Sequence, residues 1–421
     1  MRAHPALLVL AFALCLAGAG DLPAQGNGEI FDSFAYSWTT LPGTVPGPVA
    51  VLGFASPGGA WKKVIWASGP GWPLVDYLPE HLDTRTVAGR TCLSAAVVPP
   101  AGPQQAAGGA EAITTGNYGF GSYRVCCRPT GPTPTGTGVC ESFYLISSQL
   151  EIDIEFLSQH QGVTARRKGT MDIVVHEYRP GQVRASINTR VEITDFDPTK
   201  SFGIYGFDWL PGRVDFYVAG ARVFTVRDGE VGQMKVSPWQ RKIMMPTAAN
   251  LVKAPFRISA WTGLVGWSGT PPAARTEFLV DWISYTPFHF TGDGGSLPIG
   301  KGGSVRFDLS GSAAHAGAPY LLLTSLADTD RGTPLPGGLT LPLDLDSATF
   351  ILLGSVNTPI FAGFLGTLDS SGQAKPVFNL PGAQLPPAAV GTRFHLAPVV
   401  LDPVVLVVAA LGNPAPVLLV P

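Results

Sequence analysis

The densest chemistry in the chain lies in seven consecutive residues, Leu150-Glu151-Ile152-Asp153-Ile154-Glu155-Phe156. Read as a β-strand, they put Leu150, Ile152, Ile154 and Phe156 on one face and Glu151, Asp153 and Glu155 on the other. No Lys or Arg interrupts the acids, so they repel one another, and folding alone does not ask for that arrangement. Retaining glycoside hydrolysis asks for two carboxyl groups about 5–5.5 Å apart, one attacking the anomeric carbon while the other protonates the leaving oxygen. Positions four apart on a strand are separated by roughly 13 Å, so Glu151 and Glu155 would have to lean inward over Asp153 on a curved, twisted sheet. The Asp between them would supply the negative charge that keeps one Glu protonated near neutral pH. The solvated face of an outer strand gives the same bare pattern, and the rest of the chain has to separate the two readings.

The elements that must position these acids are strands. The chain has 421 residues, which points to two domains. Gly 51 and Pro 39 punctuate many short Val/Phe/Tyr/Thr runs, long amphipathic helices are hard to find, and the class expected is all-β. Runs at 123–127, 142–145, 172–178, 184–193, 207–209, 213–218, 221–226, 257–261 and 278–285 read as strands of two stacked antiparallel sheets. Tyr118-Gly119-Phe120-Gly121-Ser122-Tyr123 alternates aromatics with glycines, which suits either a core edge or a surface on which sugar rings stack. Beyond the Gly-rich stretch 290–303, expected to be a linker, residues 304–421 contain no Trp or Cys. Short apolar runs there, such as 320–323, 350–353 and 404–410, suggest a smaller accessory β domain. His315 and His395 read as structural or solvated, and no catalytic constellation is visible in this half.

A net charge of −2, with only Arg166-Arg167-Lys168 as a basic cluster, argues against nucleic acid as a partner. Residues 1–19 carry an early Arg, an apolar stretch over 6–16 and Ala17-Gly18-Ala19, the pattern of a secretory signal. The apolar stretch is too short to span a bilayer, and Cys15 lies in a poor lipobox. A secreted protein without a membrane span is therefore expected. Export permits disulfides among the remaining Cys92, Cys126, Cys127 and Cys140. Cys126 or Cys127 with Cys140 would close the loop between them, and no ligand-like spacing favours zinc instead.

Glu151-Ile152-Asp153-Ile154-Glu155-Phe156-Leu157 resembles the catalytic strand of glycoside hydrolase family 16, in the unbulged form of lichenases and xyloglucan transglycosylases. The segment 118–123, with Glu111 seven residues before it, the stretch 196–218 and the closing residues Trp261, Trp267 and 281–285 resemble further motifs of that family in the same order. Over residues 29–289 the resemblance implies a β-jelly-roll sandwich with a glycan cleft. It implies Glu151 as nucleophile, Glu155 as general acid/base and Asp153 between them. It also implies Glu111, Tyr118, Phe120, His176, Tyr178, Trp209 and Trp261 as substrate-binding residues. Asp281 matches a position that binds a structural Ca2+ in lichenases, and no cofactor is implied for catalysis.

Three positions depart from the lichenase pattern. Ile113 stands in place of an Arg, Gln149 in place of a Trp and His176 in place of an Asn, so the subsites have been rebuilt. The function expected is a monomeric endo-acting hydrolase of a β-linked polysaccharide, with a transglycosylase or a non-catalytic glycan-binding protein as alternatives. Removal of residues 290–421 is expected to leave cleavage of soluble substrate intact.

Overall fold

The computed structural model describes residues 30–32, 54–55, 61–64, 75–102 and 106–421, less the short stretches 235–239, 247–249, 265, 287–288, 294, 312–314, 328–332, 336–339, 342, 383–384 and 405–407. The expected secretory segment 1–19 lies outside the described residues. Among those described, no helix is long and apolar enough to cross a membrane.

The first half is a sandwich of two mainly antiparallel sheets. One has the acidic strand Leu150–Leu157 near its middle, between Cys140–Ile146 and Gly169–Glu177, with Phe256–Trp261 and Ala107–Thr114 following beyond Cys140–Ile146. The other runs Ala221–Arg227, Arg213–Val218, Gly203–Leu210, Gly121–Arg128, Thr276–Thr286, Arg90–Val97, Leu82–Val87. The expected strands are all present; seven are longer by one to five residues, Arg213–Val218 is as expected and Ala185–Ile193 begins one residue later.

Period-2 alternation builds the core. Ile152, Ile154 and Phe156 of the acidic strand are fully buried and meet Tyr123, Tyr205, Phe207 and Phe216 of the facing sheet. The Tyr123 ring lies between Phe207 (4.8 Å) and Phe256 (5.5 Å), nearly parallel to both, so aromatic stacking ties the two sheets together. Gly206 is required where it stands, because a Cβ there would meet the Tyr123 carbonyl oxygen at 2.1 Å.

The C-terminal half has further sheets and its own apolar core, including Phe290, Phe307, Tyr320, Phe361, Phe378 and Leu396. The stretch expected to be a linker is structured: His289–Gly292 pairs antiparallel with Gly303–Ser310, and Ser296–Pro298 pairs parallel with Ala415–Val420. Glycine-rich sequence suggests freedom, but these residues find backbone partners along both neighbours. Phe350–Leu353 differs too, being the end of a helix, Ser347–Leu353. Asp346 caps it by accepting from the Thr349 amide, with the Thr349 hydroxyl accepting in return from the Asp346 amide.

This half is seated on the outward face of the second sheet. Asn413 donates to the Ser122 carbonyl (2.8 Å) and pairs with the Ser284 hydroxyl, and Thr286 donates to the Leu411 carbonyl at 2.5 Å. Beneath them Asp208, fully buried, meets Arg124 Nη1 at 2.8 Å and His289 Nδ1 at 2.8 Å. Burial alone would raise the Asp208 carboxyl, but the Arg124 charge and His289 overcome it and hold the group well below the usual range.

The expected bridge from Cys126 or Cys127 to Cys140 does not form. Cys127 and Cys140 carry free thiols. Alternation sends Cys126 to the outward side of its sheet beside Ile204 and Trp282, and Cys127 into the sandwich core. Cys140, on the facing sheet, approaches Glu155.

Candidate active site

Strand register assembles the site around the three acids. Glu151 lies opposite His176 and Ile146, Asp153 opposite Val174 and Tyr144, and Glu155 opposite Asp172 and Ser142. One strand further, Arg257 lies opposite Tyr144 and Ser259 opposite Ser142. The open face of this sheet therefore presents a patch of polar side chains with the acids along its middle, while the other face belongs to the core.

The two glutamates sit in different surroundings. Glu151 accepts a hydrogen bond from the Tyr178 hydroxyl. Burial raises its carboxyl, and the Tyr178 bond, Arg184 and Arg257 all pull the other way. Glu155 has anionic neighbours instead. Burial pushes it up to about 7, the charges of Asp172 and Glu151 add to the rise, and hydrogen bonds from Cys140 and Trp267 oppose it. Asp153 is 5% exposed, so burial and the flanking glutamates drive its carboxyl well up. Burial thus raises both glutamates, with Tyr178 and cationic groups opposing the rise at Glu151 and anionic neighbours adding to it at Glu155.

Several expected binding residues lie on this face. The Tyr178 hydroxyl is on Glu151. His176 Nδ1 is 2.6 Å from the Ser186 hydroxyl, and its Nε2 is 3.9 Å from Asp153. Glu111 accepts from the Tyr144 hydroxyl (2.6 Å) and pairs with Arg257 at 2.9 Å. Arg257 stands directly across from Ile113, so the neighbouring strand returns a guanidinium to the place where Ile113 lacks one. Trp261 is half-buried and shares the face of Arg257 and Ser259. Gln149 reaches the later loop: its amide donates to the Asn250 carbonyl (2.7 Å) and accepts from the Val252 amide at 3.0 Å.

Others lie elsewhere. Trp209 is fully buried in the core, because it has the parity of Tyr205 and Phe207 on the inward face of its strand, so it is not a stacking platform. Tyr118 and Phe120 are half-buried against that core, with rings 4.9 Å from Tyr285 and 5.3 Å from Trp209 respectively. Asp281 is 3% exposed and is held by the Arg90 guanidinium at 2.8 Å. A cation already stands against that carboxylate, and the position does not fit a calcium site. The sequence reading named Trp267 only as a motif residue and gave no role in the site to it, nor to Arg184, Cys140, Tyr144 and Arg257. Trp267 lies in a loop, where no periodicity marks it, and Arg257 and Tyr144 become neighbours of Glu111 only through strand pairing.

Among the described residues, Glu151, Asp153 and His176 form a group whose ligand atoms lie within 4.8 Å of one another. One of them is the candidate nucleophile, so an ion there would compete with the chemistry.

Residues 93–282 match the model of the glycosyl hydrolases family 16. The match covers a little under half of the chain and includes the acidic strand. The chain is 28% identical over 188 residues to a beta-glucanase of Paenibacillus macerans, covering 42% of this chain and 64% of that protein. It is 29% identical over 183 residues to a beta-glucanase of Paenibacillus polymyxa, covering 42% and 63%. The match thus spans a little under two thirds of these relatives' length. A solved Bacillus licheniformis beta-glucanase aligns over 62% of this chain and 99% of its own, at 19% identity and a TM-score of 0.43.

Proposed function

We propose that this chain is an exported, retaining endo-glycosidase that hydrolyses a β-linked polysaccharide, β-1,3-1,4-glucan or a close relative. The observation that carries the reading is the asymmetry between Glu151 and Glu155 on one strand face. Burial raises both carboxyls, but at Glu151 the Tyr178 hydroxyl and the Arg184 and Arg257 charges pull back toward the ionised form, whereas at Glu155 the charges of Asp172 and Glu151 add to the rise. The match to the family model and the likeness to beta-glucanases support the same choice.

In the proposed reaction Glu151 attacks the anomeric carbon while Glu155 gives its proton to the departing glycosidic oxygen. A glycosyl ester on Glu151 results. Glu155, now ionised, takes a proton from water, which attacks the ester carbon and releases Glu151, so two inversions leave the anomeric configuration retained. Asp153, between the two, holds the charge balance as each Glu changes state. The polar patch of Glu111, Tyr144, Arg257 and His176 supplies hydrogen bonds for sugar hydroxyls beside the acids.

The test is to incubate the protein with soluble mixed-linkage β-glucan, β-1,3-glucan, xyloglucan and algal galactans, and to follow products by chromatography and the first anomer by NMR. Short β-configured oligosaccharides from a glucan are expected. A first product of α configuration would remove the double displacement, and binding without any cleavage would remove the hydrolase.

A further inference from the structure

Trp267 lies in the loop that joins Phe256–Trp261 to Thr276–Thr286, and its indole Nε1 donates to Oε2 of Glu155 at 3.0 Å. That loop is fixed from several sides. The Trp267 amide closes a turn on the Leu264 carbonyl at 3.0 Å, and the Gln159 side-chain amide binds the Trp267 carbonyl. Thr270 is paired in both directions, its amide to the Gly136 carbonyl (2.9 Å) and its carbonyl to the Gly138 amide (2.8 Å). The two loops are in close backbone contact: a Cβ on Gly138 would come within 2.5 Å of the Ser268 carbonyl oxygen, and Gly269 (φ +86) has no room for one against residues 136–138.

An indole N–H can only donate. With it seated on Oε2, that oxygen accepts, and because the carbonyl-type oxygen of a neutral carboxyl is the stronger acceptor the proton of neutral Glu155 is favoured on Oε1; the Cys140 thiol is a second contact of the same carboxyl. We infer that Trp267 is a positioning residue for Glu155: it selects the oxygen that carries the catalytic proton and turns that oxygen toward the glycosidic bond. This rests on the reading of Glu155 as the general acid. It goes beyond that reading by assigning the orientation of the acid to a loop outside the acidic strand, so that residues 136–138 and 266–270 become part of the catalytic machinery. A carboxyl able to rotate freely would offer either oxygen, and part of its population would be turned away from the leaving group.

Removing the donor has a definite sign. The N–H stabilises the carboxylate more than the acid, so its loss moves the Glu155 titration upward. The experiment uses the full chain with 13C-labelled glutamate carboxyls, the Glu155 signal being assigned by its absence in Glu155→Gln. In Trp267→Phe the Glu155 midpoint is expected to rise by about half a pH unit or more, and Trp267→His, which keeps a ring N–H, should reverse part of that rise. A midpoint unchanged in a folded Trp267→Phe protein would overturn the inference. Turnover gives a second reading. Trp267→Phe should lose about tenfold on polysaccharide, whose leaving group needs the proton, and less than about twofold on a dinitrophenyl glycoside, whose leaving group does not. Equal losses on both substrates would reduce Trp267 to a packing role. If the unaltered protein cleaves nothing, the hydrolase reading fails, and the NMR titration still decides the contact.

Discussion

His289 Nδ1 lies 2.8 Å from Oδ2 of Asp208, so a histidine in the first strand of the C-terminal half reaches a fully buried acid on the outward face of the preceding sandwich. Arg124 completes the cluster, donating also to the Tyr123 and Phe207 carbonyls and lying 4.4 Å from the Tyr217 ring centroid. Asp208→Asn would leave Arg124 buried without its counter-charge, a loss of about 3–5 kcal/mol where one partner of a buried pair is removed. Chemical denaturation should show a drop of that order. Deleting residues 290–421 should lower the melting temperature as well, since it removes Leu411 and Asn413 from Thr286, Ser122 and Ser284. An unchanged melt would return the C-terminal half to the status of a detachable accessory.

Glu151→Ala should reduce polysaccharide cleavage by a factor on the order of 10^4 or more, as loss of a nucleophile does. Azide, small enough to enter the vacated space, should restore part of the rate and give a glycosyl azide of inverted configuration. Retention of wild-type activity by the folded variant would mean that Glu151 is not the nucleophile.

The pH dependence follows from Glu155. Its carboxyl is raised to about 7 by burial and by Asp172 and Glu151, and it must be protonated to act as the acid. The value of kcat/KM should therefore fall as pH rises through about 7. Glu155→Gln should abolish cleavage of polysaccharide at every pH. Stability moves the same way: a carboxyl whose folded pKa lies above its unfolded value favours the fold below about 4.5, and that contribution is lost as pH rises to about 7. Glu141, likewise pushed up to about 7 by burial, adds to the trend. Melting temperatures measured between pH 4.5 and 7 should decline, and a rise across that window would contradict the buried, neutral state of these groups.

The Arg90–Asp281 pair bears on calcium. Treatment with a chelator should leave the melting temperature within about 1 °C of its starting value, and added Ca2+ should not raise it. A stabilisation that grows with Ca2+ concentration would show binding to the native state and place a cation site beyond what Arg90 allows.

The acidic strand was legible because its alternation is unbroken, and parity alone assigns every side chain of Leu150–Leu157 to a face. Parity would also have placed Trp209 in the core with Tyr205 and Phe207; likeness of motif suggested the cleft instead. Asp172 beside Glu155, and Arg257 returning a guanidinium to Glu111, depend on which strands pair and in what register. Those contacts join residues far apart in the chain, and local sequence carries no record of them. The pairing of His289–Gly292 was hidden for another reason: glycine makes loop and strand look alike until a partner strand is present.

The loop from Cys127 to Cys140 is closed without a covalent bridge. The Thr130 amide and hydroxyl donate to Glu141, the Thr133 hydroxyl meets that of Ser158 at 3.0 Å, and the Gly138 amide donates to Thr270. Since Cys127 and Cys140 remain thiols, maturation of this loop needs no oxidase or isomerase. This closure can form in the reducing cytosol of a production host as in an oxidising compartment, and a reductant in the buffer leaves it intact.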